Sequence, residues 1–284
     1  IPPYHFENAK AIVSIGADFL GTWLSPVEFA RQYAAGKKLD EKNPAMSKHI
    51  HFESVASLTG SNADEKYLHR PSETAAIVTA LLSAVNGQGA AGINDAKLKT
   101  GIEKAAKALT ENKGAALVVS GSNDVNIQLA VNAINEAVGA GGKTIDWSTP
   151  VNYRQGIDAD FVKLVEDMNA GAINTLLIYG ANPAYTWFDA EKFKVGLKKV
   201  KTTVSFNSKM DETAELCKFV APDHHYLESW GDAEAKPGHF SFIQTTIYPL
   251  FKKRQWQARL LKWVGNPLNY LAFLKNLWSA TFGA

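Results

Sequence analysis

Two glycine turns are the positions in this sequence best suited to hold an anion. Ile15-Gly16-Ala17-Asp18 follows the apolar run Ala11–Ile15, and Tyr179-Gly180-Ala181-Asn182 follows the run Thr175–Tyr179. At the carboxyl end of a parallel strand, such a turn aims the amides of the next helix at a phosphate or carboxylate. Small residues that merely permit a tight turn explain the same pattern. For the first copy that plain reading gains weight, because Asp18 puts a carboxylate where a phosphate would sit. Asn182-Pro183 is more permissive. Neither turn matches the dinucleotide fingerprint, and Gly139-Ala140-Gly141-Gly142 follows a helical stretch and reads as a helix stop.

Other chemistry is less well supported. Asp223-His224-His225 with Glu228 and His239 has the composition of a metal site, yet the histidines follow Pro222 at a strand end and their directions diverge. His49 and His51 share one strand face, with no third ligand near in sequence. Ser120-Gly121-Ser122 lacks the context of a nucleophile elbow, and no Ser–His–Asp order emerges. Asp211 and Glu212 are adjacent, so on extended chain their carboxylates point apart. Lys252-Lys253-Arg254 with Trp256 and Trp263 fits either a membrane surface or an acidic partner, or an ordinary packed helix with lysines reaching outward. No metal ligand set and no catalytic residue are assigned.

The elements that would position these residues repeat. Thr22-Trp23 follows the first turn at the spacing with which Thr186-Trp187 follows the second. Leu24, Ser25 and Phe29 then stand as staple, N-cap and staple partner, and Phe188, Asp189 and Phe193 repeat them. Phe52-Glu53-Ser54 with Thr59 is echoed by Phe206-Asn207-Ser208 with Thr213. Two related units predict a site between them. Ser25-Pro26-Val27-Glu28 reads as a capping box and Ser72 as the N-cap of a helix reaching Val85. Asp95 caps a periodic helix from Ala96 to Leu109. Strands alternating with helices of ten to fifteen residues predict doubly wound parallel sheets.

The expected class is therefore α/β: two Rossmann-like domains, 1–113 and 114–250, and an irregular C-terminal tail ending in helices, 251–284. With 30 Lys and Arg against 28 Asp and Glu, the net charge of +2 gives no argument for nucleic acid. The one cysteine, Cys217, lies in an apolar run and reads as a buried thiol. It excludes a disulfide framework, and any iron–sulfur cluster bound by this segment alone. The start at Ile1 without Met, entering through Pro2-Pro3, reads as part of a longer polypeptide.

The motifs carry a resemblance. Gly16-Ala17-Asp18, Ser57-Leu58-Thr59-Gly60 with Ala63-Asp64, and Arg70-Pro71-Ser72-Glu73 resemble the molybdopterin oxidoreductase superfamily. Gly180-Ala181-Asn182-Pro183, Asp211-Glu212-Thr213-Ala214, Val220-Ala221-Pro222 and Glu228-Ser229-Trp230-Gly231 resemble its next domain. The stretch from Gly16 to Pro26, and Gln244–Phe251 followed by Arg254-Gln255, are most similar to the large iron–sulfur subunit of bacterial alternative complex III.

That resemblance implies a non-catalytic scaffold in a quinol-oxidising respiratory complex that passes electrons to cytochrome c or an oxidase. It implies no cofactor here, with three 4Fe-4S clusters and one 3Fe-4S cluster in another part of the same polypeptide. The partners would be a membrane quinol-oxidising subunit and haem c subunits, on the periplasmic side of the inner membrane. Gly16, Asp18, Gly180, Asn182, Asp211 and Thr213 would be vestiges of a pterin-nucleotide pocket. Asp18-Phe19 replaces the Asn-Pro of catalytic members, putting charge and bulk there. The alternative is the catalytic large subunit of a bis-pterin molybdenum enzyme such as a polysulfide reductase.

Overall fold

In a computed structural model, residues 1–39, 44–153 and 155–283 are described, so the last residue of the expected 251–284 extension lies outside them. The chain forms two compact units, Ile1–Tyr153 and Arg154–Ala284.

Unit 1 contains β1 (Ala11–Ile15), α1 (Pro26–Lys37), β2 (Lys48–Glu53), α2 (Leu58–Asn62), β3 (Glu65–Leu68), α3 (Thr74–Val85), α4 (Ala96–Glu111), β4 (Ala116–Ser120) and α5 (Val125–Ala137). Its strands lie in the order β3-β2-β1-β4, and every pair is parallel. β1 and β4 are buried along their whole length, as expected of apolar strands covered on both faces. One face meets α1 through Phe29 and Tyr33, and the other meets α4, where Gly101 lets the helix close on the Tyr67 ring. Asn135 binds both the N–H and the carbonyl of Val118 in β4, at 2.9 and 2.8 Å.

The boundary therefore falls after Tyr153 and not at Gly114. The strand expected to open the second domain pairs with β1 from Ala11↔Ala116 to Ile15↔Ser120, so it completes the first sheet. A new strand–helix rhythm does start near Gly114, but rhythm alone cannot say which sheet a strand joins.

Unit 2 contains α6 (Asp158–Asn169), β5 (Thr175–Ile178), α7 (Pro183–Thr186), α8 (Ala190–Lys199), β6 (Thr202–Ser205) and β7 (Phe219–Val220). They are followed by β8 (Gly231–Lys236), β9 (His239–Ile243), α9 (Trp256–Trp263) and α10 (Tyr270–Phe282). The parallel sheet runs β5-β6-β7, and its core joins Val165 and Met168 of α6 to Phe193 and Leu197 of α8. β8 and β9 form an antiparallel hairpin, within the stretch 114–250 expected to form the second Rossmann-like domain. Its turn is Pro237-Gly238, with Gly238 at φ +78°. α10 packs on it through Trp278 against Phe240, ring centres 4.6 Å apart.

Three local expectations change. The Ser25 side chain makes no capping bond, and Ser72 lies inside a 3-10 turn, Pro71–Glu73, where the Glu73 carboxylate accepts from Arg70 N at 2.7 Å. The staple and cap are divided between the copies. Leu24 packs on the core while Ser25 does not cap; Asp189 caps Lys192 N at 3.2 Å while Phe188 is 88% exposed.

Candidate functional site

The two glycine turns have one geometry. Gly16 and Gly180 adopt φ +61° and +64°, the left-handed region that favours glycine. In unit 1, Asp18 Oδ1 accepts from Thr59 N at 3.0 Å and from Thr59 Oγ1 at 2.8 Å. Thr59 Oγ1 in turn accepts from Leu20 N at 2.9 Å. In unit 2, Asn182 Oδ1 accepts from Thr213 N at 3.2 Å and from Thr213 Oγ1 at 2.7 Å, and Thr213 Oγ1 accepts from Ala184 N at 3.0 Å. Each carbonyl after the turn takes the next free amides: Asp18 O those of Gly21 and Thr22, Asn182 O those of Tyr185 and Thr186. At the clasp the sequence repeat is thus a repeat of hydrogen bonds, and it departs at Trp23 N, which bonds Asp18 O where Trp187 N bonds Pro183 O.

The helical starts beneath the clasps also correspond. Ser57 Oγ accepts from Gly60 N at 2.9 Å, and Asp211 Oδ1 accepts from Ala214 N at 2.8 Å. The other Asp211 oxygen accepts from Asn207 Nδ2 at 2.8 Å. Glu212 turns away and accepts from Asn182 Nδ2 at 2.7 Å, a bond that holds its carboxyl below the ordinary value.

We expect Thr59→Val and Thr213→Val each to lower stability by about 1–3 kcal/mol, since each removes a fully buried hydroxyl and orphans a partner. Thr59→Val should cost more, because its acceptor is charged. Urea midpoints that do not move for either variant would show that the clasps do not hold the turns.

Phe19 corrects the sequence reading. Its ring does not fill the turn: it is fully buried, stacks on Phe6 at 4.3 Å and meets the edge of Tyr33 at 5.6 Å. Asp18 is the residue left at the mouth. In unit 2 a cleft of about 340 Å³ lies against Gly180 and Asn182, lined also by Asn207, Lys209 and Asp211. The metal-like residues are dispersed by their bonds. His225 Nδ1 accepts from Leu227 N at 3.3 Å, and Glu228 Oε2 accepts from His225 N at 2.9 Å. Among the described residues no group of three or more His, Cys, Asp or Glu is placed to hold a metal ion. Trp256 faces inward, stacked on Tyr179 at 4.7 Å. Cys217 is half-buried, and burial raises its thiol above the ordinary value.

The sequence reading missed a buried polar network in unit 1. Ser14 Oγ lies 2.7 Å from His49 Nε2 and 2.5 Å from His51 Nδ1. His49 Nδ1 is 3.1 Å from the Tyr33 hydroxyl, and His51 Nε2 is 3.3 Å from Glu53 Oε2. These five side chains are buried. Burial, then the neighbouring His51 and Lys37, push His49 down to about 3 against the pull of Asp64. His51 is likewise lowered by burial, against Glu53. Burial raises the Glu53 carboxyl, but bonds from Ser57 and Lys66 outweigh it and hold the group below its ordinary value. Spacing alone showed only that the two histidines share a face; Ser14 joins them because its strand is in register with theirs.

The fold and turns define a class: paired parallel α/β units with a glycine turn at the carboxyl end of the leading strand. No family model matches the sequence, and no curated protein matches it. Among solved structures it is similar to acetylene hydratase from Pelobacter acetylenicus, with 13% identity and a TM-score of 0.64. That match covers 94% of this chain and 48% of the other, so this chain spans about half the length of that protein. At that identity the likeness is one of fold alone, an α/β architecture shared over nearly the whole of this chain. A second match is the formyltransferase/hydrolase complex (FhcABCD) from Methylorubrum extorquens in complex with methylofuran, at 10% identity, 89% of this chain, 72% of that one and TM-score 0.44.

Proposed function

We propose that this chain is a non-catalytic, molybdopterin-oxidoreductase-like scaffold in the iron–sulfur subunit of a quinol-oxidising respiratory complex of the alternative complex III type. Its clusters would lie in another part of the polypeptide. Its partners would be a membrane quinol-oxidising subunit and haem c subunits on the periplasmic face. Among the described residues no helix is long and apolar enough to cross a membrane.

The observation that carries this reading is the Asp18 clasp. A bis-pterin dinucleotide cofactor presents a phosphate-bearing end to each glycine turn. At the first turn such an end meets a carboxylate fixed by Thr59, while the Gly21 and Thr22 amides already serve the Asp18 carbonyl. Like charge and occupied donors oppose the phosphate. At the second turn both Asp211 oxygens serve backbone and Asn207, so that carboxylate is structural. The residues present do not fit the paired cofactor.

One observation favours a catalytic bis-pterin subunit instead: the cleft of about 340 Å³ at Asn182, where Lys209 supplies a positive charge. Elemental analysis and acid-oxidation fluorescence of the purified full protein separate the two. The scaffold reading expects iron without stoichiometric molybdenum or tungsten and without pterin. Stoichiometric molybdenum or tungsten with extractable pterin would overturn it.

A further inference from the structure

The buried network of unit 1 has a property that follows from counting protons. Ser14 has one hydroxyl proton and two imidazole neighbours, so it donates to one histidine and accepts from the other. Each neutral histidine carries one proton, on Nδ1 or on Nε2. The choice made at one end therefore dictates the choice at the other.

With Glu53 ionised, its Oε2 requires a proton on His51 Nε2. His51 Nδ1 then accepts from Ser14, Ser14 accepts from His49 Nε2–H, and His49 Nδ1 accepts from the Tyr33 hydroxyl, whose one proton is then not given to Asn62 O, 2.9 Å away. With Glu53 protonated, every bond reverses. The carboxyl O–H donates to His51 Nε2, His51 Nδ1–H to Ser14, Ser14 to His49 Nε2, and His49 Nδ1–H to Tyr33. The Tyr33 hydroxyl then donates to Asn62 O, 2.9 Å away. The two arrangements differ by one proton, added at or lost from Glu53. We propose that Tyr33, His49, Ser14, His51 and Glu53 form a single proton relay across β1 and β2, whose polarity is set by the charge on Glu53.

The surroundings give the relay two ends of different character. At one end Glu53 Oε1 is 3.2 Å from Lys66 Nζ of β3, and Oε2 accepts from Ser57 N and Ser57 Oγ at the start of α2. Asp18 faces His51 from the first glycine turn. At the other end Lys37 of α1 and Asp64 flank His49, paired to each other at 2.6 Å, and Asp64 also accepts from His49 N at 2.6 Å. The Phe19 ring, 5.4 Å from the imidazole of His49, closes that side. Every member is below a tenth exposed, so water does not compete for the bonds. Because Ser57 begins the segment that carries Thr59, the charge on Glu53 bears on the Asp18 clasp as well as on Tyr33.

Histidine tautomers read the relay directly. In the full-length protein, labelled with 15N-histidine, long-range proton–nitrogen correlation at neutral pH should show His49 and His51 both neutral with the proton on Nε2. Glu53→Leu removes the acceptor and frees Ser57 Oγ, 3.4 Å from His51 Nε2, to donate there, and should move both protons to Nδ1. His49 does not touch Glu53, so its switch reports transmission through Ser14, and in a Ser14→Ala background that switch should vanish. Opposite tautomers on the two histidines of the wild type, or an imidazolium at His51, overturn the relay without any variant. An unchanged His49 in folded Glu53→Leu overturns it too. The readout is independent of cofactor content, so the scaffold reading and the relay stand or fall separately.

Discussion

Phe19→Ala should destabilise unit 1 by about 3–5 kcal/mol, the range for a buried phenylalanine truncated in a core that relaxes only in part. The ring is fully buried and touches partners on three sides. Phe6 stacks on it at 4.3 Å, and Phe6 also meets Phe29 of α1 at 5.0 Å, so truncation loosens the contact between the N-terminal segment and that helix. Tyr33 and His49 lose an edge contact at 5.6 and 5.4 Å. Hydrogen exchange at β1 and β2, with the urea midpoint, measures the loss. Phe188→Ala is the control, since that side chain is 88% exposed and should change stability by no more than roughly 0.5 kcal/mol. A cost below about 1 kcal/mol for Phe19→Ala would contradict the core assignment and return Phe19 to the pocket.

Acidification should be the other large effect. His49 is held at about 3 in the folded protein, whereas an unfolded chain titrates near 6.5. Between those values the unfolded state binds a proton that the folded state refuses, so stability falls as pH falls from about 6.5 and levels off below about 3. Glu53 and Asp64 act in the same direction. Both are held below their ordinary values, and the stability they contribute is lost as pH falls through those lowered values. From pH 7 to pH 4 the expected loss is roughly 3–4 kcal/mol, seen as a falling urea midpoint. A flat or rising midpoint over that window would show that His49 is not held neutral.

The regular alternation in unit 1 was legible because parallel strands covered on both faces are apolar throughout, as β1 and β4 are. The repeated turn was legible because its side chains are short and their spacing is fixed. The role of Phe19 was not, because a residue next to a turn points either into the cleft or under the sheet, and only packing decides. The Ser14 network was hidden for a different reason: Ser14 lies 35 and 37 positions from the two histidines, and register brings them together. The hairpin of unit 2 carried a turn signal in Pro237-Gly238, but its strands, GDAEAK and HFSFI, lack a shared alternation. The division at Tyr153 could not be read from periodicity, since β4 looks the same whichever sheet it joins.

Asn135 has a consequence for how far the first sheet can grow. With one amide group it offers Val118 what another strand would offer, an acceptor for the N–H and a donor for the carbonyl. The side chain is a dead end, because nothing beyond it repeats the ladder. A stray extended peptide that approached β4 would have to break both bonds at the middle of the strand before it could dock. One buried amide thus acts as a terminator of polymerisation, guarding the flank of β4 against the edge-to-edge growth that leads to aggregates.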